Sequence, residues 1–305
     1  MAIENDILTI ITAATPLLLA AQGQLVAERS GVLNLGVEGM MVMGAVAGFA
    51  VANLTGSLSL GIAAAILAGV MMSLIFGFLT LSLRANQVAT GLALTLLGLG
   101  LSGLIGESFV GMPGKRMPRL DIPYLTDIPV IGKIIFGQDV LVYLSLAMTI
   151  IIIWFLFRTR SGLILRAVGD NHHSAHALGY HVITVRYLAV MFGGAMSGLA
   201  GAYLSLAYTP SWTENMTSGR GWIALALVVF ASWLPLRLLA GAYLFGAVTI
   251  LGFVAQGYGI GIPAQLLASL PYLVTIAALV VISGNRNLMR ANTPACLGQP
   301  FVPDR

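Results

Sequence analysis

Between Glu28 and Ala45 the chain reads ERSGVLNLGVEGMMVMGA, a glycine-broken stretch that places Asn34 and Glu38 beside long apolar runs. A carboxylate at membrane depth is costly enough to mark function by default, and irregular backbone there is tolerated only inside protein or along a cavity. Glu38 and Asn34 can hydrogen-bond a hydroxyl-rich or heterocyclic solute in passage. Glu38 can instead accept bonds from backbone N–H groups where a helix breaks, or pair with Arg29. A second polar trace runs from Asn86 and Gln87 through Thr90 and Thr95 to Glu107. Uncharged hydrogen-bonding groups of this kind suit a neutral solute, and they serve interhelical bonds equally well. Tyr208, Trp212, Glu214 and Arg220 cluster at the end of a later apolar run, where aromatics form an interfacial belt or a receptor docks.

The third polar stretch, RTRSGLILRAVGDNHHSAHALGYHV from Arg158 to Val182, is long for a simple connection. Its apolar pattern of Leu163, Leu165, Val168, Ala175 and Leu178 predicts a structured interior. Asp170 or Asn171 can cap a short helix over 172–178 that stops at Gly179, making a compact element that projects from the membrane face as a docking device. The plainer reading is a solvated loop whose arginines anchor topology. His172 and His176 have the i, i+4 spacing of shared metal ligands, but no acid or thiol close in sequence completes a site, so no metal is expected. No nucleotide-cradling Gly-x-x-x-x-Gly-Lys-Ser/Thr loop, His-Glu-x-x-His or nucleophile elbow occurs, and an enzyme is not expected.

The elements that must position these residues follow from composition. Hydrophobic residues make up 58% of the 305 positions, only 9% are charged, and the mean hydropathy is +0.94. Soluble domains hold roughly 45–50% apolar residues, so this is an integral membrane protein. The net charge of +4 comes from basic residues scattered at the ends of apolar runs, which points to membrane topology and away from nucleic acid. The single cysteine, Cys296, excludes a disulfide or a cysteine-based metal site within one subunit. The stretch MAIENDI is acidic where a signal peptide is basic, so the first apolar run reads as a retained helix.

Spans of about 20 apolar residues divide the chain into about 7–27, 32–53, 58–82, 87–107, 139–157, 185–208, 221–235, 238–256 and 264–282. The expected fold is all-α: one polytopic transmembrane domain over 1–305 with about nine transmembrane or re-entrant helices. The segments 32–53 and 221–235 are the candidates for half-helices. The Pro/Gly-rich loop at 108–138 is the midpoint, and the glycine patterns GMMVMGAVAGFA and GGAMSGLAGAYL on either side fit two related halves. With the 158–184 loop in the cytoplasm, that side collects Arg29, Arg84, Arg158, Arg160, Arg166, Arg186, Arg237, Arg286, Arg290 and Arg305. The outer side holds Lys115, Arg116, Arg119, Lys133 and Arg220, an excess in the direction of the positive-inside rule.

Four ordered stretches also carry a resemblance: ERSGVLNLGVEGMMVMGA, ANQVATGLALTLLGLGLSG, TRSGLILRAVGDN and GRGWIALALVVFASWLPL. Over roughly residues 7–285 the chain resembles permease subunits of bacterial ABC importers in the branched-chain amino acid and simple-sugar permease superfamily. It is most similar to the nucleoside-type branch, whose solute receptors are basic membrane lipoproteins. The resemblance implies that residues 158–182 form a cytoplasmic coupling loop received by an ATPase. Gly162, Leu165, Arg166, Ala167, Val168, Gly169, Asn171 and Gly179 stand where the family motif has them. It further implies a second, dissimilar permease subunit and an extracytoplasmic receptor as partners, with ATP and Mg bound by the ATPase and no cofactor in this chain. The implied location is the bacterial cytoplasmic (inner) membrane, and the implied cargo a nucleoside or related compound. Simple-sugar and riboflavin-type permeases are the alternatives, with an ion-coupled secondary transporter behind them because so few intramembrane ionisable residues are present. The candidates for the translocation pathway or the helix break are Asn34, Glu38, Asn86, Gln87 and Thr95.

Overall fold

The computed structural model describes residues 2–120, 131–257, 263–283 and 292–302. Twelve α-helices run in the order α1 (Ala2–Arg29), α2 (Val37–Thr55), α3 (Leu58–Gly77), α4 (Gln87–Gly106), α5 (Ile131–Phe136), α6 (Val140–Arg158), α7 (Arg160–Asp170), α8 (His172–Ala177), α9 (Val182–Tyr203), α10 (Arg220–Phe230), α11 (Pro235–Gly257) and α12 (Ala264–Ser283). α3 and α9 each end in a π-helical turn, at Phe78–Ser82 and Leu204–Tyr208. Seven helices among the described residues are long and apolar enough to cross a membrane: α1, α2, α3, α4, α6, α9 and α11.

Polar side chains start several helices by accepting otherwise orphaned backbone N–H groups. Asn86 caps α4 through Ala89 N, Asp139 caps α6 through Leu141 and Val142 N, Thr159 caps α7 through Gly162 N, and Asn171 caps α8 through Ser174 N. Gly179, at φ +86°, takes the chain out of α8 in a conformation that suits glycine.

Two expected boundaries shift. The break expected within 32–53 is confined to the non-helical residues before Val37, and α2 is an unbroken 19-residue helix. The 221–235 segment is the half-helix: α10 has 11 residues and rises only about 16 Å, half the ~30 Å hydrocarbon thickness. The polar loop after α6 is two helices, α7 and α8. Of its apolar pattern, Leu165, Val168 and Ala175 are buried, but Leu163 and Leu178 are 58% and 77% exposed, because a helix this short presents only one face to the protein.

α2, α3 and α9 meet along a seam of glycines. A Cβ at Gly44 would overlap the Gly198 carbonyl, one at Gly69 the Gly194 carbonyl, and one at Gly198 the Ala65 carbonyl. With no hydrophobic drive between helices in lipid, this close backbone approach supplies the dispersion contact that holds them. The end of the bundle holding Arg29, Arg84, Arg158 and Arg186 is the basic end; Gly56, Lys115 and Trp212 lie at the other. Arg286, Arg290 and Arg305, three of the arginines used to orient the chain, lie outside the described residues.

Candidate functional site

The broken segment is held by the polar residues around it. Asn34 folds back on its own stretch, its Oδ1 accepting from Gly36 N at 2.8 Å. From α4, Gln87 Oε1 accepts from Leu33 N at 2.8 Å, and the Thr95 hydroxyl donates to Leu35 O at 3.1 Å. Asn86 is engaged in capping α4. These groups satisfy backbone that leaves the helix inside the protein.

Glu38 does the same for a different element. Its Oε1 accepts from the Thr217 hydroxyl and, at 2.8 Å, from Gly219 N; Oε2 accepts from Gly221 N at 2.6 Å. Glu38 is 3% exposed. A helix N-terminus carries orphan donors and the positive end of a dipole, so a buried carboxylate there is both solvated and electrostatically favoured. Glu38 thereby anchors the start of the half-helix α10 inside the membrane. It does not pair with Arg29, which donates to the carbonyls of Trp233 and Asn292. Glu28 accepts from Gln24 Nε2 at 2.8 Å and Trp233 Nε1 at 2.6 Å. Glu28 and Arg29 thus grip the turn between α10 and α11, where Ser232 and Trp233 both adopt positive φ.

At the basic end, a knot of backbone bonds fixes α7, and ring contacts with the returning tail hold α8. Residues 292–302 fold back so that Cys296 N donates to Gly169 O and Gly298 N to Gly31 O, at 2.9 and 3.0 Å. Arg186, 1% exposed, donates from Nε to Ser30 O and from Nη1 to Gln299 O. Arg29 and Arg186, counted above as topology markers in loops, are therefore buried. Charge distribution along a sequence does not distinguish a solvated arginine from one enclosed by carbonyls. Four motif residues face the membrane domain: Gly162, Leu165, Val168 and Gly169 are buried, and a Cβ at Gly169 would overlap the Arg29 carbonyl. Arg166 and Ala167 are half-buried, with the Arg166 guanidinium 5.2 Å over the Phe157 ring, and Asn171 and Gly179 are exposed.

The histidines surround Phe301 of the returning tail, with the rings of His172 and His176 each 5.3 Å from it. His172 Nδ1 lies 3.1 Å from Arg186 Nη2. A guanidinium only donates, so Nδ1 accepts and the neutral ring carries its proton on Nε2. Burial, then the adjacent Arg186 and His173, push the His172 pKa down to about 4 from 6.5. Release of the tail frees His172 to protonate. Arg186 and His173 stay beside the ring when the tail leaves, so the released-state pKa lies between 4 and 6.5. The docked state therefore keeps full stability above about pH 6.5, loses part of it as pH falls toward 4, and loses no more below that. Hydrogen-exchange protection factors at Cys296 and Gly298 are expected to fall across that window and to become flat in His172→Gln.

At the far end, Trp212 is fully buried beneath Gly106 and takes no part in an interfacial belt. Glu214 is exposed, while Tyr208 and Arg220 are half-buried, with the Arg220 guanidinium 5.5 Å over the Tyr208 ring.

Residues 6–283 match the family model described as branched-chain amino acid transport system / permease component. The chain is 41% identical to "Putative glucose ABC transporter permease protein TsgC13" of Haloferax volcanii, over 95% of each chain. It is 36% identical to the guanosine ABC transporter permease protein NupQ of Bacillus subtilis, covering 97% of this chain and 98% of that one. Among solved structures, PsaBC from Streptococcus pneumoniae in complex with Fab shares the fold at 16% identity, with a TM-score of 0.50 over 92% of each chain.

Proposed function

The chain belongs to the branched-chain amino acid transport system / permease component family, and from that premise we infer how its parts work. It is a multi-pass protein of the cytoplasmic membrane and the permease subunit of an ABC transporter. Its cargo, in our reading, is a neutral solute moved inward, a nucleoside or related compound; the glucose permease among its relatives keeps a simple sugar as the second reading. The permease itself is not catalytic. ATP and Mg belong to a separate ATPase, and the chain works with a second, dissimilar permease subunit and an extracytoplasmic solute-binding lipoprotein.

The observation that carries the coupling role is the fixing of α7 by the knot at the basic end, with α8 packed on the same tail; the positive-inside rule places that end in the cytoplasm. An element that transmits force must not flex against the body it moves. Cys296–Gly169, Gly298–Gly31 and Arg186–Gln299 tie α7 and the tail to the ends of α1 and α9. The side left open, with Leu163, Asn171, Leu178 and Gly179, is the surface offered to the ATPase.

The test is reconstitution of the chain with its ATPase, second permease and receptor in liposomes, following ATP-driven uptake. Leu178→Asp is expected to reduce uptake at least tenfold, because a charge replaces an apolar contact at the centre of the docking face. Gly169→Asp is a poorer probe, since it collides with the Arg29 carbonyl before it reaches any partner. Uptake that follows an ion gradient without the ATPase would overturn the reading in favour of a secondary transporter.

A further inference from the structure

A cavity of about 260 Å³ lies between the end of α9 and the start of α10, lined among others by Tyr208, Thr213, Glu214, Asn215, Ser218 and Arg220. Its depth can be read from α4. A Cβ at Gly103 would stand 3.9 Å from Glu214 Oε1, and Gly103 is about 24 Å along α4 from Gln87 at the basic end. The floor is tied to Glu38, and the neighbouring Gly39 packs on Gly98, about 16 Å along α4. The cavity therefore lies level with the outer half of α4, one of the helices long and apolar enough to cross a membrane.

Among the described residues nothing bonds the side chains of Thr213, Glu214 or Asn215. Arg220 commits only Nη1, to the carbonyls of Met216 and Thr217, which leaves its other N–H groups free. Thr213, Glu214 and Asn215 are exposed, so these groups face the open recess and are available to a solute. The chain reaches this cavity through the π-helical turn at Leu204–Tyr208, a distortion that recurs at functional sites.

We propose that this cavity binds the sugar ring of the transported solute, an inference that rests on the permease reading above. A carboxylate is acceptor-only and can take two neighbouring hydroxyls; Asn215 both donates and accepts, and Arg220 donates to ring or hydroxyl oxygens. Apart from Leu204, Met216 and the Tyr208 ring, the lining is polar, which suits a polyol with one apolar face to rest on. A polyol ring is also what guanosine and glucose, the cargoes in the names of two relatives, have in common. A volume below the roughly 300–1,000 Å³ of complete ligand pockets suits a site for one ring.

The test uses the whole reconstituted transporter, with guanosine, glucose and 2′,3′-dideoxyguanosine as probes. A site built to bond hydroxyls discriminates strongly against analogues that lack them. Glu214→Gln is expected to lower uptake of the carried sugar-bearing probe at least tenfold while changing uptake of the dideoxy analogue less than twofold. The receptor is the same in both arms, so its preference cancels in the ratio. Asn215→Gly, which keeps the positive φ of that residue, is the second variant and is expected to act in the same direction. Elution of each variant as an intact assembly serves as the folding control. Equal losses for both probes, or wild-type uptake by both variants, overturn the sugar site and leave the permease standing. Absence of ATP-driven uptake of every probe by the wild type overturns both.

Discussion

Glu38→Leu is expected to prevent this chain from accumulating as a monodisperse protein, and Glu38→Gln to lower its apparent melting temperature by roughly 2–12 °C. The leucine variant orphans three donors at once: the N–H groups of Gly219 and Gly221 and the Thr217 hydroxyl. Each buried donor without a partner costs about 1–3 kcal/mol, and at membrane depth no bulk water replaces the lost acceptor. In glutamine one of the two oxygens becomes an NH₂ that faces donors, so one arm of the clamp fails while the other holds. For domains of 150–250 residues 1 kcal/mol corresponds to roughly 2–4 °C, and one lost donor at about 1–3 kcal/mol sets the expected shift. Thermal unfolding in detergent, followed by loss of the monodisperse peak, reads both variants. A glutamine variant that melts with the wild type would show that Glu38 does not anchor α10.

The second large effect is expected at the glycine seam. Gly198→Ala should separate α9 from α3, because its methyl would overlap the Ala65 carbonyl and crowd Gly69 Cα, at 3.2 Å. A backbone carbonyl cannot move aside as a side-chain end can, so the helices must part along the seam and lose their dispersion contact. Gly100→Ala is the matched comparison. Nothing lies within 4 Å of its new Cβ, and replacing glycine by alanine inside a helix is worth roughly 0.8–1.0 kcal/mol. The first variant is expected to melt well below the wild type and the second at or above it. Equal melting of the two would show that the seam does not hold the bundle. The same reasoning bears on Gly39→Leu as a probe of transport: its side chain would strike Leu94 O at 2.7 Å and Thr95 Cα at 2.8 Å, so any loss of transport there is steric.

Composition alone determined that this chain is a helical membrane protein, since burying 58% apolar residues with 9% charge leaves no soluble solution. Local chemistry determined the helix starts at Asn86, Asp139, Thr159 and Asn171, because a cap acts on an N–H two or three residues away and its signal is written in adjacent positions. The same locality made Glu38 conspicuous as an intramembrane carboxylate while hiding its partners, which lie 179, 181 and 183 residues further along. Arg29 and Arg186 show the limit from the other side. Each reads as one more loop arginine until the carbonyls of Trp233, Ser30 and Gln299 close around it. The outer cavity is also invisible in sequence, since Tyr208, Glu214 and Arg220 become a polar recess only when α10 begins partway along the bundle. Hydrogen bonds between distant segments and the depth at which a helix begins are set by packing, and packing is what only the tertiary structure decided.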